Sequence, residues 1–116
     1  MMNVGDPILR FYNDLSPSDQ HYWSQQLQRS PCATNYTRLS YAAYFHHPIT
    51  YLYCEQDQAL PHKVQKMMVE GIRRQGVEVA EETCGAGHSP YLSMPERILE
   101  LVASMSARAG DNVARQ

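Results

Sequence analysis

The sequence predicts an α/β domain, a β-α-β-α unit preceded by a helical segment, and three features predict it. Ile49-Thr50-Tyr51-Leu52-Tyr53-Cys54 is a β-branched and aromatic run behind a proline, which is strand composition. Val64, Met67, Met68 and Ile72 recur at helical intervals and Gly76 closes them, as in an amphipathic helix ended by a glycine. Val77 and Val79 then alternate with Glu78 and begin a second strand ending near Thr83. Strand, helix and strand in that order make a parallel pair with a right-handed crossover.

Taken from the N-terminus, Met1–Arg10 contains Gly5, Asp6 and Pro7 and reads as irregular chain. Ser16-Pro17-Ser18-Asp19 is a helix start, with a hydroxyl at the cap, proline at the first helical position and a carboxylate in the first turn. That helix is expected to reach Arg29 and to lie on the surface, because Trp23 and Leu27, four apart, make a thin apolar face and the other positions are mostly polar, four of them glutamines. Ser30-Pro31 ends it. Tyr36, Leu39, Tyr41 and Tyr44 fall at roughly helical spacing and predict a second helix over 32–44. Core packing explains that stripe, and a substrate pocket lined by the same tyrosines is the alternative.

After the second strand, Gly85-Ala86-Gly87-His88-Ser89-Pro90 is a turn or loop, its two glycines open to unusual backbone angles. Ser93-Met94-Pro95-Glu96 has the form of a capping box and opens a helix whose apolar face is Ile98, Leu99, Leu101, Val102 and Met105. Gly110 marks its frayed end, and 107–116 reads as a disordered tail. Parallel strands are normally buried on both faces, so two of them alone leave an unpaired apolar edge.

Composition narrows the function classes. The 116 residues suffice for one domain, and the net charge is −2 with no basic stripe, which argues against nucleic-acid binding. Cys32, Cys54 and Cys84 are odd in number and widely spaced, so free thiols are expected rather than a disulfide framework. Met1–Pro7 offers neither a charged nor an apolar leader, and no apolar run is long enough to span a membrane. A soluble, cytoplasmic location away from membranes is the expectation.

Two residues stand out as chemistry. Asp57 lies just past the first predicted strand and His88 just past the second, and such strand ends line the active sites of parallel sheets. Neighbouring strands would bring a carboxylate against an imidazole, fixing its tautomer and stabilising its protonated form. Taken singly, Asp57 could merely cap the helix near Pro61 and His88 could be a loop histidine; Glu55 is the rival acid. His46 and His47 are adjacent and read as surface residues. A zinc site from Cys54, Cys84 and His88 lacks recognised spacing, and Cys84 as nucleophile would fall in the wrong chain order. No metal or cofactor is expected.

The run Tyr51-Leu52-Tyr53-Cys54-Glu55-Gln56-Asp57-Gln58-Ala59-Leu60-Pro61, followed by Gly85-Ala86-Gly87-His88-Ser89-Pro90 and Pro95, resembles the C-terminal part of α/β-hydrolases, particularly methylesterase-like enzymes that cleave small esters. In that family the aspartate follows the sixth strand and the histidine the last, which implies that Asp57 is the acid and His88 the base. The upstream Phe11-Tyr12-Asn13-Asp14 and the helix through Trp23 look similar to the cap that precedes the sixth strand. The resemblance therefore implies an incomplete α/β-hydrolase fold: a cap-like helical segment over 1–47, the β-α-β-α part of the hydrolase domain over 48–106, and the tail.

The family also requires a G-x-S-x-G elbow ahead of acid and histidine. Only Gly5 precedes Asp57, so none of Ser16, Ser18, Ser24, Ser30 or Ser40 sits in one. The oxyanion hole would come from the same missing portion. The expectation is a truncated hydrolase inactive alone, whose parent attacks small esters with a serine; epoxide or haloalkane hydrolysis, which uses the same fold with a carboxylate nucleophile, is the alternative chemistry that the resemblance implies. The alternative is a non-catalytic interaction protein that self-associates or docks on another chain through the open sheet edge.

Overall fold

The computed structural model describes residues 5–114. From the N-terminus the chain runs through α1 (Pro7–Phe11), α2 (Pro17–Gln25), short 3₁₀ turns at Cys32–Asn35 and Ala43–Phe45, β1 (Ile49–Cys54), α3 (His62–Arg73), β2 (Val79–Cys84), α4 (Pro90–Ser93) and α5 (Pro95–Ala114). The two strands pair in parallel, from Ile49 opposite Val79 to Cys54 opposite Cys84. Both carboxyl ends therefore finish side by side, which is what positions the site.

Two small apolar clusters sandwich this sheet. On one face Tyr53, Val69 and Val79 are buried together, with Ile49, Tyr51, Ile72 and Val77 packed around them. On the other, Cys54, Cys84 and Ala86 form a cluster joined by Leu52. Burying one valine contributes about 1.5–3 kcal/mol, so Val69, 1% exposed, is a principal anchor of α3. The inward face of that helix is not the one its methionines suggest. Gln65 and Val69 are buried, whereas Val64, Met67 and Met68 are exposed. Ile72 alone of the expected stripe joins the core.

Gln65 explains the difference. Its Oε1 accepts from the Cys54 amide at 3.0 Å, and its Nε2 donates to the carbonyls of Cys54 at 2.9 Å and Leu60 at 2.7 Å. Glu55 turns its amide toward β2, donating to the Cys84 carbonyl, so by alternation Cys54 faces the opposite edge. A glutamine side chain thus occupies the C-terminal end of the outer edge of β1 in place of a strand. Among the described residues no strand pairs with that edge, and by the same alternation Thr50 and Leu52 point along it.

The N-terminal segment departs from expectation more often. Pro7–Phe11 is helical rather than irregular, because Asp6 caps it through Oδ1, which accepts from the amides of Ile8 and Leu9, with Pro7 at the first position. The next helix starts at Pro17 under a Ser16 cap, as read, but ends at Gln25 instead of Arg29, and Leu27 stays exposed. The helix expected over 32–44 is absent. Two 3₁₀ turns stand there instead, with Tyr36 86% and Leu39 85% exposed. With nothing to pack against, weak helix formers such as threonine and tyrosine do not sustain a helix, and those two residues lie outside the core.

At the C-terminus α5 continues through Gly110 to Ala114, so 107–114 is helix rather than a disordered tail, and 115–116 lie outside the described residues. A helical glycine costs only about 1 kcal/mol relative to alanine, too little to stop a helix by itself. Leu101 is buried, but Leu99 and Val102 face outward. The capping box does not form: the Ser93 hydroxyl reaches the Ser89 carbonyl at 3.5 Å, and Met94 separates α4 from α5. No helix among the described residues is long and apolar enough to cross a membrane.

Candidate active site

The strand ladder ends with the Glu55 amide on the Cys84 carbonyl, and one further bond, from the Gln56 amide to the Ala86 carbonyl at 3.0 Å, carries the pairing into the loops. Asp57 and His88 sit one step beyond. Asp57 Oδ2 lies 2.8 Å from His88 Nδ1. Its other oxygen, Oδ1, accepts from the amides of Ala59 and Leu60, each at 2.8 Å. Asp57 does not cap α3, which begins at His62 with no side-chain cap; one oxygen instead shapes the turn before the helix while the other meets His88. Glu55, the rival acid, is exposed.

This geometry constrains the imidazole. A carboxylate can only accept, so the proton between the two residues belongs to Nδ1 and the Nε2 lone pair is left free. The Asp57 side chain is 6% exposed and that of His88 38%, so the carboxylate is sequestered while the imidazole reaches the surface. Phe11 packs against the imidazole with ring centroids 5.3 Å apart, bringing the N-terminal segment over the pair. An imidazole held this way can take a proton at Nε2 from a hydroxyl and return it to a leaving group.

Neither glycine of this loop adopts an unusual backbone angle, and only Gly87 is required for space. Among the described residues only Gly5 and Gly76 have positive φ. A β-carbon on Gly87 would collide with Asn13 Oδ1 and Asp14 Oδ1, so residue 87 is small because side chains from the N-terminal segment press on its Cα.

Below the pair, Cys54 and Cys84 stand opposite each other, both buried, with sulfurs 3.9 Å apart. Desolvation first, then the neighbouring Cys84, pushes the Cys54 thiol up to about 12. A thiol that holds its proton so firmly is neither a good nucleophile nor a ready metal ligand. No group of three or more His, Cys, Asp or Glu among the described residues is arranged to hold a metal. His46 and His47 are exposed, and Tyr41 joins them: its ring stacks on His46 at 4.8 Å and its hydroxyl meets His47 Nε2 at 3.1 Å.

An acid and a histidine at adjacent parallel strand ends are the features of an α/β-hydrolase. The model of the alpha/beta hydrolase family matches residues 3–101, and the chain belongs to that family. Its relatives include an "Alpha/beta hydrolase nvfD" from Aspergillus novofumigatus, 31% identical over 99 residues that cover 84% of this chain and 38% of that protein. A "Probable hydrolase R7" from a Phoma species is 28% identical over 95 residues, covering 81% of this chain and 39% of that protein. The chain thus spans well under half the length of either relative. No solved structure matches it.

Proposed function

We propose that Asp57 and His88 are the acid and general base of a hydrolase whose nucleophile and oxyanion hole lie in chain beyond these residues. The observation that carries this reading is the 2.8 Å contact between a doubly anchored, buried carboxylate and an imidazole whose Nε2 has no hydrogen-bond partner among the described residues. In the whole enzyme a serine attacks the carbonyl of a small ester, His88 takes its proton and passes it to the leaving alcohol, and Asp57 holds the tautomer. The residues from Met1 to Gln116 alone contain no G-x-S-x-G and turn over nothing. The same reading places the enzyme in the cytoplasm, in keeping with its free cysteines.

A chimera tests it: this chain replaces the matching C-terminal portion of the Aspergillus relative, whose preceding portion is retained, and short-chain nitrophenyl esters are offered. Asp57→Asn and His88→Ala are each expected to lower kcat by about 10⁴-fold. Full activity in either variant removes the assignment, as does esterase activity of the isolated chain that survives His88→Ala.

One observation favours a second reading, a non-catalytic chain that docks through its sheet. The edge of β1 at Thr50 and Leu52 has no strand beside it, and such edges recruit strands from other chains. The occupant would be a full-length hydrolase or a second copy. Size-exclusion chromatography with light scattering should then find a stoichiometric complex that Leu52→Pro abolishes; a monomer at all concentrations, alone and with the hydrolase, speaks against it.

A further inference from the structure

The loops carrying Asp57 and His88 are both tied to one distant dipeptide. Asn13 Nδ2 donates to the Gln56 carbonyl at 2.9 Å, and the Gly87 amide donates to Asp14 Oδ2 at 2.7 Å. Gln56 immediately precedes Asp57, and Gly87 immediately precedes His88. The Gln56 amide bonds the Ala86 carbonyl between them, so consecutive residues of the N-terminal segment close a ring with the acid loop and the base loop. The dipeptide is itself held, since Tyr12 before it is buried and its carbonyl accepts from Gln20 Nε2 at 3.0 Å.

We propose that Asn13 and Asp14 are positioning residues, a two-pronged clamp that fixes the spacing of the acid and base loops so that Asp57 and His88 meet in one geometry. Past the end of the ladder each loop must otherwise be ordered by its own bonds, and the base loop contains two glycines, whose backbone entropy is the largest of any residue. Holding the backbone one residue upstream of each side chain removes that freedom before the imidazole bonds the carboxylate. The bond to Gly87 is assisted by the charge on Asp14 and satisfies the amide of a buried residue.

A second observation points the same way. Asn13 Oδ1 and Asp14 Oδ1 are buried without a hydrogen-bond partner among the described residues, and both face the Cα of Gly87. Orphaned acceptors are costly, and a segment needed only to cover the sheet would have no reason to keep two. They remain because the opposite atoms, Asn13 Nδ2 and Asp14 Oδ2, must reach the two loops.

The clamp takes its meaning from the acid–base reading, but its test needs no substrate. Long-range ¹H–¹⁵N NMR on the full chain at about pH 8.5, two units above the ordinary imidazole value, gives the His88 tautomer. The wild type is expected to hold the Nδ1–H form. Asp14→Ala should shift the ratio toward Nε2–H about tenfold, the effect of losing one charge-assisted hydrogen bond, and Asp14→Asn, which keeps an acceptor, should restore part of it. Gly87→Ala should act likewise, because its backbone φ suits alanine while its new methyl expels both oxygens. Variants that melt lower while the tautomer ratio stays within about twofold of wild type would reduce the dipeptide to a structural tie and overturn the clamp. If Asp14→Ala does not fold, Asn13→Ala removes the other prong under the same criterion. An inactive chimera with an intact tautomer response would leave the clamp standing and remove only the catalytic reading.

Discussion

The unit from Ile49 to Pro90 and the segment before it are built on different principles. Tyr53, Cys54, Asp57, Gln65, Val69, Val79, Cys84, Ala86 and Ser89 are all buried in the first, whereas Tyr12 is the single buried hydrophobic of the described residues ahead of β1. The β-α-β unit holds itself by backbone pairing and a small core. The N-terminal segment is held chiefly by polar bonds from a few residues, above all Asn13 and Asp14, while its large side chains, Tyr22, Tyr36, Leu39, Tyr41 and Phe45, face outward. A short stretch of chain can therefore tie two loops together without contributing much to the core, and substitutions in the two regions should differ accordingly.

The largest expected effect is at Gln65. Gln65→Leu fits the space but strips the partners from the Cys54 amide and the Leu60 carbonyl and leaves the Cys54 carbonyl only the Asp57 amide at 3.4 Å. Leaving buried backbone groups without partners should cost about 3 kcal/mol, read as a fall in the denaturant midpoint. Leu39→Ser, at a position 85% exposed, serves as the matched control and should stay within about 0.5 kcal/mol. Equal losses at the two positions would end the distinction between the regions.

That distinction also explains what could be read in the sequence. The strand over Ile49–Cys54 coincides with β1, and α3 falls where Val64 to Ile72 placed it, because these elements announce themselves within a few residues. Val77 belongs to the approach to β2, which begins at Val79. Hydrophobic periodicity misplaces the inward face of α3 for a physical reason: its best-buried polar side chain, Gln65, is inside because it completes a strand edge, a demand that periodicity cannot express. The helix over 32–44 failed because spacing alone does not supply a surface to pack on. The meeting of Asp57 and His88 is legible in local loop composition and strand order, whereas Asn13 and Asp14 bond across 43 and 73 residues. No local motif signals that contact; the small size of Gly87 was its one trace, and it looked like a turn.

A smaller effect sharpens the account of the self-sufficient unit. The Tyr53 hydroxyl donates to Glu81 Oε1 at 2.5 Å, and Arg73 donates to Glu81 Oε2 at 2.8 Å and to the Val79 carbonyl at 2.9 Å. Burial first, then the bond to Glu81, pushes the Tyr53 phenol from 10.0 up to about 12. Glu81 is lowered in turn, by Tyr53 first and Arg73 second. Tyr53→Phe should cost about 1 kcal/mol near neutrality, the net worth of one hydrogen bond. Because the folded phenol holds its proton more tightly than the unfolded one, its contribution is complete below pH 10 and disappears as pH rises through about 12. The gap in denaturant midpoint between wild type and Tyr53→Phe should therefore be constant from pH 7 to pH 9 and close above pH 10. A gap that persists unchanged at the alkaline end would mean that the hydroxyl matters through packing alone, and that the strand pair is tied to α3 without the Tyr53–Glu81–Arg73 chain.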